Sequence, residues 1–372
     1  MTRRQAIQTA AAIPLSAAAS TAASSAVSIA IIGLGGRGSS HGRHLQNLPQ
    51  ARLTAVADVS DRSIERARGR MSLDGVTIHK DMEEILASEV DAVIIATPVY
   101  LHPEHLERAI KAGKHIYLEK PAASTIAGAK KVMQLCDAAP RELNITFGHQ
   151  QRHGLVYHNA KRLLDSGEMG NLNLAHSHFL KSGMTGNEPV LPKPTSEKER
   201  LAQWKFWRET YGEIIVETFV HNIDCLNWFI GGHPQSAIGT GGRKVMKAGD
   251  LLDHLNVTYT YADNVQANMV GSYLSPSYYR EVYERYFCDD GVIETARGYW
   301  KRHLGTRTVV EEKSPHDITI DALAEFLSRV QSNQPANTGV RGAESTLTAL
   351  LGQLAIDEGQ EVTWEQMMAS NA

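Results

Sequence analysis

Cysteine is scarce in this chain of 372 residues: three are present, Cys136, Cys225 and Cys288. An odd number without paired-metal spacing excludes a disulfide framework and supplies no zinc ligand set. The three read as small buried apolar residues, compatible with folding in a reducing compartment but silent on the final address. An excess of one charge is also missing, since 38 Lys and Arg stand against 41 Asp and Glu for a net charge of -3. That balance leaves no electrostatic footprint for nucleic acid or an acidic membrane. No stretch approaches the about 20 apolar residues a bilayer span needs, so stable membrane insertion is not expected. What remains, 42% hydrophobic and 21% charged residues, fits a globular protein whose length suits two domains.

The first 25 residues stand apart. Thr2-Arg3-Arg4-Gln5-Ala6-Ile7 precedes a mildly apolar, alanine-rich stretch from Ala10 to Ala19, and Ala-x-Ala spacings near Ala17 to Ala23 offer cleavage sites. This resembles a twin-arginine export signal and implies a periplasmic or otherwise exported protein. Ala6 departs from the pattern, because such signals usually carry a large apolar residue there. A disordered leader on a cytoplasmic protein is the alternative.

From Ser28 onward, strands and helices alternate. Ser28 to Ile32 is a short apolar run, Arg37 to Leu48 a helix, Arg52 to Ala57 a strand, and Ser60 to Met71 a polar helix. Asp91 to Ala96 reads as a buried strand stopping at Thr97-Pro98, followed by a helix to Ala112 and a strand from His115 to Leu118. A helix over 125–138 and a strand over 144–147 continue the rhythm, which predicts a doubly wound parallel Rossmann sheet over residues 26–149. Beyond residue 150 the order changes: one helix, an alternating strand over 172–179, and a Pro/Gly/Ser-rich excursion from Gly183 to Ser196. A helix over 221–230 leads into the hairpin 255–273 and strand-like runs at 284–288, 292–296 and 308–311. Helices over 320–332 and 344–357 close the chain. Residues 150–372 are thus expected to form an α+β domain with a large open, mainly antiparallel sheet.

Gly33, Gly35 and Gly38 carry G-x-G-x-x-G between a strand and a helix, the context this motif requires. Such glycines permit a tight turn and let backbone amides, including those of Gly36 and Arg37, approach a pyrophosphate at a helix N-terminus. Asp58, at the end of the second strand, is placed to bind adenosine ribose hydroxyls and to repel a 2′-phosphate, favouring NAD over NADP. Arg62 can blunt that preference or simply stand in solvent.

The glycine turn, Thr97-Pro98, Glu119-Lys120-Pro121 and a later histidine together resemble the glucose-fructose oxidoreductase/inositol dehydrogenase/rhizopine-catabolism (Gfo/Idh/MocA) family. The resemblance runs from about Ser28 to the end. It implies nicotinamide lying between the two domains, sugars or polyols as substrates, and a homo-oligomer built through the C-terminal sheet. It also implies that Lys120 touches substrate and nicotinamide ribose, that Pro121 follows a cis peptide, and that Thr97, Pro98, His102 and Glu119 border the cofactor. Val99 departs from the family's asparagine after Thr-Pro, and Glu217 stands where an inositol-type site has aspartate four residues before the catalytic histidine, here His221.

The chemistry of the residues agrees with this. Removing a hydride from a carbinol carbon requires a base for the hydroxyl proton, and an imidazole suits that work. His221 is the candidate, Lys120 the group that stabilises the alkoxide, and Glu217 their partner. Asp224 lies one helical turn from His221, where it can orient the imidazole or bind a substrate hydroxyl. Arg152 can bind substrate or hold the domain junction. His176-x-His178 would place two imidazoles on one strand face, but no third ligand is identifiable and no metal is assigned. Trp204, Trp207 and Trp228 are either core or flat faces for a sugar. An NAD-dependent oxidoreductase with a small-molecule sugar or polyol substrate is the leading reading, its cofactor tightly held. A redox-neutral NAD-dependent glycosidase would reuse the same site, and a non-catalytic NAD-responsive binding protein would need neither Lys120 nor His221.

Overall fold

The computed structural model of the protein describes residues 26–182, 189–274, 276 and 278–370. The leader with its arginine pair and cleavage sites, and the middle of the Gly183 to Ser196 excursion, lie outside them. Six parallel strands open the chain: β1 (Val27–Ile32), β2 (Ala51–Ala57), β3 (Thr77–His79), β4 (Ala92–Ile95), β5 (His115–Leu118) and β6 (Ile145–Phe147). Their order across the sheet is β3-β2-β1-β4-β5-β6. All six residues of β1 are buried, as a strand covered on both faces must be. Its pleat divides them: Ala30 and Ile32 join one apolar layer with Val93, Ile95, Ile116 and Leu118. Val27, Ile29 and Ile31 join the other with Ala92, Ile94 and Tyr117. That second layer is closed from far along the chain, by Ala322, Leu323, Phe326 and Leu327 of the helix Thr319–Gln331.

The second sheet has nine strands: β7 (Leu172–Leu180), β8 (Ser236–Gly242), β9 (His254–Thr260), β10 (Gln266–Ser272), β11 (Glu281–Cys288), β12 (Gly291–Ala296), β13 (Tyr299–Leu304), β14 (Arg307–Lys313) and β15 (Val362–Thr363). They run in the order β14-β13-β12-β11-β7-β10-β9-β8-β15, with β7 parallel to β10 and every other neighbouring pair antiparallel. Alternation along β7 sorts its side chains: Ala175, Ser177 and Phe179 are buried beneath the helix Val220–Ile230, while His176 and His178 face the open side. Among the described residues, no helix is long and apolar enough to cross a membrane.

β8 and β13 were not anticipated, for opposite reasons. Ser-Ala-Ile-Gly-Thr-Gly-Gly has the composition of a loop, yet β8 pairs with β9 from Ser236 opposite Thr260 to Gly242 opposite His254. β13 is basic and sits between β12 and β14, where Lys301 reaches Glu294. Tertiary pairing overrides weak local propensity in both.

Candidate active site

The turn after β1 is built so that only glycine fits at its two ends. Gly33 has φ +93°, and a Cβ there would stand 2.7 Å from the Ala96 carbonyl oxygen; at Gly38 it would stand 1.9 Å from that of Gly33. Gly35 and Gly36 are different, because a Cβ on either would meet nothing within 4 Å. They form the open face of the turn. The helix Gly36–Leu45 starts there with no side-chain cap and no acidic residue in its first turn, leaving its N-terminal amides to an anion. Asp58 is fixed at the end of β2 by accepting hydrogen bonds from the Leu34 (2.7 Å) and Ser60 (2.8 Å) amides. This cradle fits a dinucleotide: bare backbone for the pyrophosphate and a carboxylate beyond it for a ribose.

Three residues expected at the cofactor have side chains engaged by protein groups. Glu119 is buried, 3% exposed, and accepts hydrogen bonds from Arg37 Nε at 2.6 Å and His41 Nε2 at 2.7 Å. Burial opposes its ionisation, but Arg37 and His41 hold its carboxyl well below the usual range. The Arg37 side chain is engaged through Nε by Glu119, while its buried Nη2 has no partner among the described residues. His102 is also buried, with Nδ1 2.7 Å from the Pro121 carbonyl and Nε2 3.0 Å from that of Thr97. It lies between the ends of β4 and β5, where the neutral ring donates to one of these two carbonyls according to its tautomer. The Thr97 hydroxyl is paired with His105.

Lys120 follows β5, and its peptide with Pro121 is cis, as the resemblance implied. Its ammonium donates to the Glu217 carbonyl (2.6 Å) and to Glu217 Oε1 (3.0 Å). The other Glu217 oxygen accepts from the Tyr211 hydroxyl at 2.9 Å and the Thr218 hydroxyl at 2.8 Å, and Tyr273 closes this cluster against Thr218 and Tyr211. Burial works against the charge on Glu217, yet Lys120 and the two hydroxyls lower its pKa to about 2. His221 opens the helix Val220–Ile230 beside them. Burial first, and Lys120 and His149 next, drive its pKa well below 6.5, so the imidazole is neutral; the same influences oppose its protonation, and a base role requires the alkoxide or cofactor charge of the bound state to offset them. Its buried Nδ1 has no hydrogen-bond partner among the described residues.

Asp224 does not orient His221. The expectation rested on helical spacing, but three positions along the helix turn the Asp224 side chain into the interior, where it is 0% exposed. There it accepts from Arg152 Nε at 2.8 Å and Ser345 Oγ at 2.7 Å, and lies 3.6 Å from His149 Nδ1. Arg152, which also stacks over Trp228, thus locks β6 and its following turn to the helix. Asp224 and Arg152 are engaged with each other. Trp228 packs against His158 and Phe229, Trp204 lies against Tyr211, and Trp207 donates to Gln203.

The residue missed from the sequence is His149. It stands just beyond β6, its ring edge-on to His221 at 6.3 Å between centroids, and its buried Nε2 also has no partner. Burial lowers its pKa to about 4. Two neutral imidazoles with buried, unpartnered nitrogens thus stand near a lysine, forming a polar cluster. The only signal in the sequence was its place at the end of a parallel strand, where such sheets bind ligands.

With the geometry established, comparison with known proteins bears on kinship. Residues 27–147 match the oxidoreductase family with an NAD-binding Rossmann fold, and residues 157–294 match the GFO/IDH/MocA C-terminal domain. The chain belongs to the Gfo/Idh/MocA oxidoreductase family. Among similar members is the 2,7-anhydro-N-acetylneuraminate hydratase of Mediterraneibacter gnavus, 29% identical over 64% of this chain and 59% of the relative. An inositol 2-dehydrogenase of Rubrobacter xylanophilus is 27% identical over 66% of each. An oxidoreductase of Streptococcus pneumoniae is 28% identical, and the match spans 53% of its length. Curated relatives are therefore matched over only about half to two thirds of their lengths. Solved structures share the fold: levoglucosan dehydrogenase in complex with NADH and levoglucosan has a TM-score of 0.76 at 17% identity, covering 91% of this chain and 99% of that one. Myo-inositol 2-dehydrogenase from Lactobacillus plantarum has a TM-score of 0.72 at 20% identity, with the same coverage.

Proposed function

We propose that this family member is an NAD-dependent oxidoreductase acting on a carbinol carbon of a sugar, polyol or glycoside. The observation that carries the reading is the Lys120 ammonium, held by Glu217 beside neutral His221 at the end of β5, two strands across the sheet from the glycine turn. Bound NAD would supply the acceptor or donor of hydride. The chain's own residues manage the oxygen and its proton. His221 takes the hydroxyl proton, Lys120 stabilises the charge left on oxygen, and Glu217 with Tyr211 and Thr218 keeps Lys120 aimed. His149 limits where the hydroxyl can sit. Asp58 selects NAD over NADP by its negative charge. The inositol and levoglucosan dehydrogenases among the similar proteins support a small polyhydroxylated substrate.

The test is nicotinamide reduction at 340 nm across a panel of sugars and polyols. Lys120→Ala and His221→Ala should each lower turnover about 100-fold or more. A fully active His221→Ala enzyme removes the assignment.

Two further expectations belong to this proposal. The open face of the nine-stranded sheet is the surface for a homo-oligomer, which sedimentation would detect. Export by the twin-arginine route would carry the protein out already folded with NAD bound. Cofactor should then co-purify and be recycled in place, giving ping-pong kinetics with donor and acceptor sugars; free exchange of NAD at each turnover would refute retention.

A further inference from the structure

A second lysine stands near Lys120 and Glu217 without a role. Lys181 directly follows β7, and its backbone amide donates to the Ser272 carbonyl at the end of the parallel neighbour β10. Its ammonium lies 4.9 Å from the centroid of the Tyr273 ring and 5.5 Å from that of Phe179. Tyr273 belongs to the hydroxyl cluster around Glu217, and Phe179 packs on Phe219 just before His221. Lys181 therefore sits across the aromatic floor from Lys120.

The ammonium has no carboxylate partner among the described residues. The carboxylate that acts on it is Glu217, whose oxygens are already taken by Lys120, Tyr211 and Thr218, while Lys120 and Arg280 repel it. Burial is the largest influence and pushes the Lys181 pKa down, with Glu217 only partly opposing this. Two ammonium groups thus lie near one committed carboxylate, and the exposed Arg280 adds repulsion at Lys181. Among the described residues, the close partners of this half-buried ammonium are two aromatic faces, which offer it no directional hydrogen bond. Where a lysine serves only to cover apolar surface, its head reaches water or a surface acid; here the side chain is partly buried and its head lies over two rings.

We propose that Lys181 receives an anionic substituent of the substrate, so that the preferred substrates are sugar acids, hexuronates or aldonates, or their glycosides. This rests on the dehydrogenase reading for the location of the substrate but not for the test. A carboxylate placed between Lys181 and Arg280 neutralises the uncompensated charge and leaves the reacting hydroxyl near Lys120 and His221. Charge-assisted hydrogen bonds of this kind change affinity by about 10–100-fold.

The experiment titrates the full chain, saturated with NADH, with hexuronates and aldonates and with the neutral parent of each, by calorimetry. The acids should bind at least about tenfold more tightly than their parents at low salt, and the preference should shrink as ionic strength rises. Lys181→Met, which keeps the packing on Tyr273 and Phe179, should lose most of the preference, whereas Lys181→Arg should keep it. Thermal melting confirms that both variants fold. Equal binding of acid and parent, absence of binding by any pair, or a preference that survives Lys181→Met overturns the proposal. Nicotinamide reduction is scored separately: acid preference without any hydride transfer sinks the dehydrogenase reading alone, and hydride transfer without preference sinks this one alone.

Discussion

Replacing Lys120 with methionine should make the protein's stability respond to pH in a way that the native chain does not. In the native protein the Glu217 pKa is lowered from 4.5 to about 2, which corresponds to roughly 3 kcal/mol favouring the ionised form. A carboxylate depressed in the fold contributes stability that is complete above about 4.5 and is lost as pH falls toward 2. Between pH 5 and 8 its contribution is flat. Methionine removes the ammonium that stands 3.0 Å away but leaves burial in place, the largest influence and one that raises the pKa. Glu217 then titrates above 4.5 in the folded variant, so stability is present below 4.5 and declines as pH rises through the new value. Breaking a buried pair costs about 3–5 kcal/mol, and the partial exposure of this one reduces that to about 2–3 kcal/mol. Urea unfolding at pH 5 and pH 8 measures the difference. Glu284 adds the same slope to both proteins and cancels. The double change Lys120→Met with Glu217→Gln should abolish the extra slope. A variant with the native pH dependence would falsify the pairing as the cause of the low Glu217 pKa.

Other measurements probe other groups. Burial pushes Glu284 up to about 8, so it destabilises the fold progressively as pH rises from 4.5 toward 8; Glu284→Gln, which keeps an oxygen for Thr295, should gain about 2 kcal/mol at pH 8 and little at pH 5. Arg152→Met strands the buried Asp224 carboxylate and should cost about 3–5 kcal/mol in chemical denaturation, with Asp224→Asn restoring part of it. If the partner lost is not Arg152, no such rescue will appear. Asp58→Asn should lower the ratio of NAD to NADP affinity about tenfold in direct titrations, and an unchanged ratio would mean that Asp58 does not read the ribose.

The glycine turn and Lys120 were legible because their meaning is local: a strand, a turn and a helix follow one another within a few residues. The same holds for β5, found at His115–Leu118 as expected. What escaped depends on contacts made across the chain. Asp224 looked like a partner for His221 because helix periodicity is visible in sequence, whereas Arg152 and Ser345, which in fact claim it, approach from other elements. His149 and Lys181 were ordinary residues after predicted strands until two sheets brought their ends together. Glu119 belonged to the recognised tripeptide, yet its bonds to Arg37 and His41 were not legible, because a motif marks a residue without telling which way its side chain turns. β8 was hidden by its glycines, since pairing with β9 and not composition makes it a strand.

Glu119 bears on redesign of this protein. Changing the dinucleotide preference of such a fold ordinarily begins with side chains around the glycine turn, and Arg37 would be an inviting target. It is a poor one. Stripping Arg37 from Glu119 unbalances a carboxylate whose next neighbour in the chain is Lys120, so nucleotide choice and turnover would shift together, and a selection on growth would be unable to separate them. Val59, 68% exposed and adjacent to Asp58, carries no such obligation and is the place to begin.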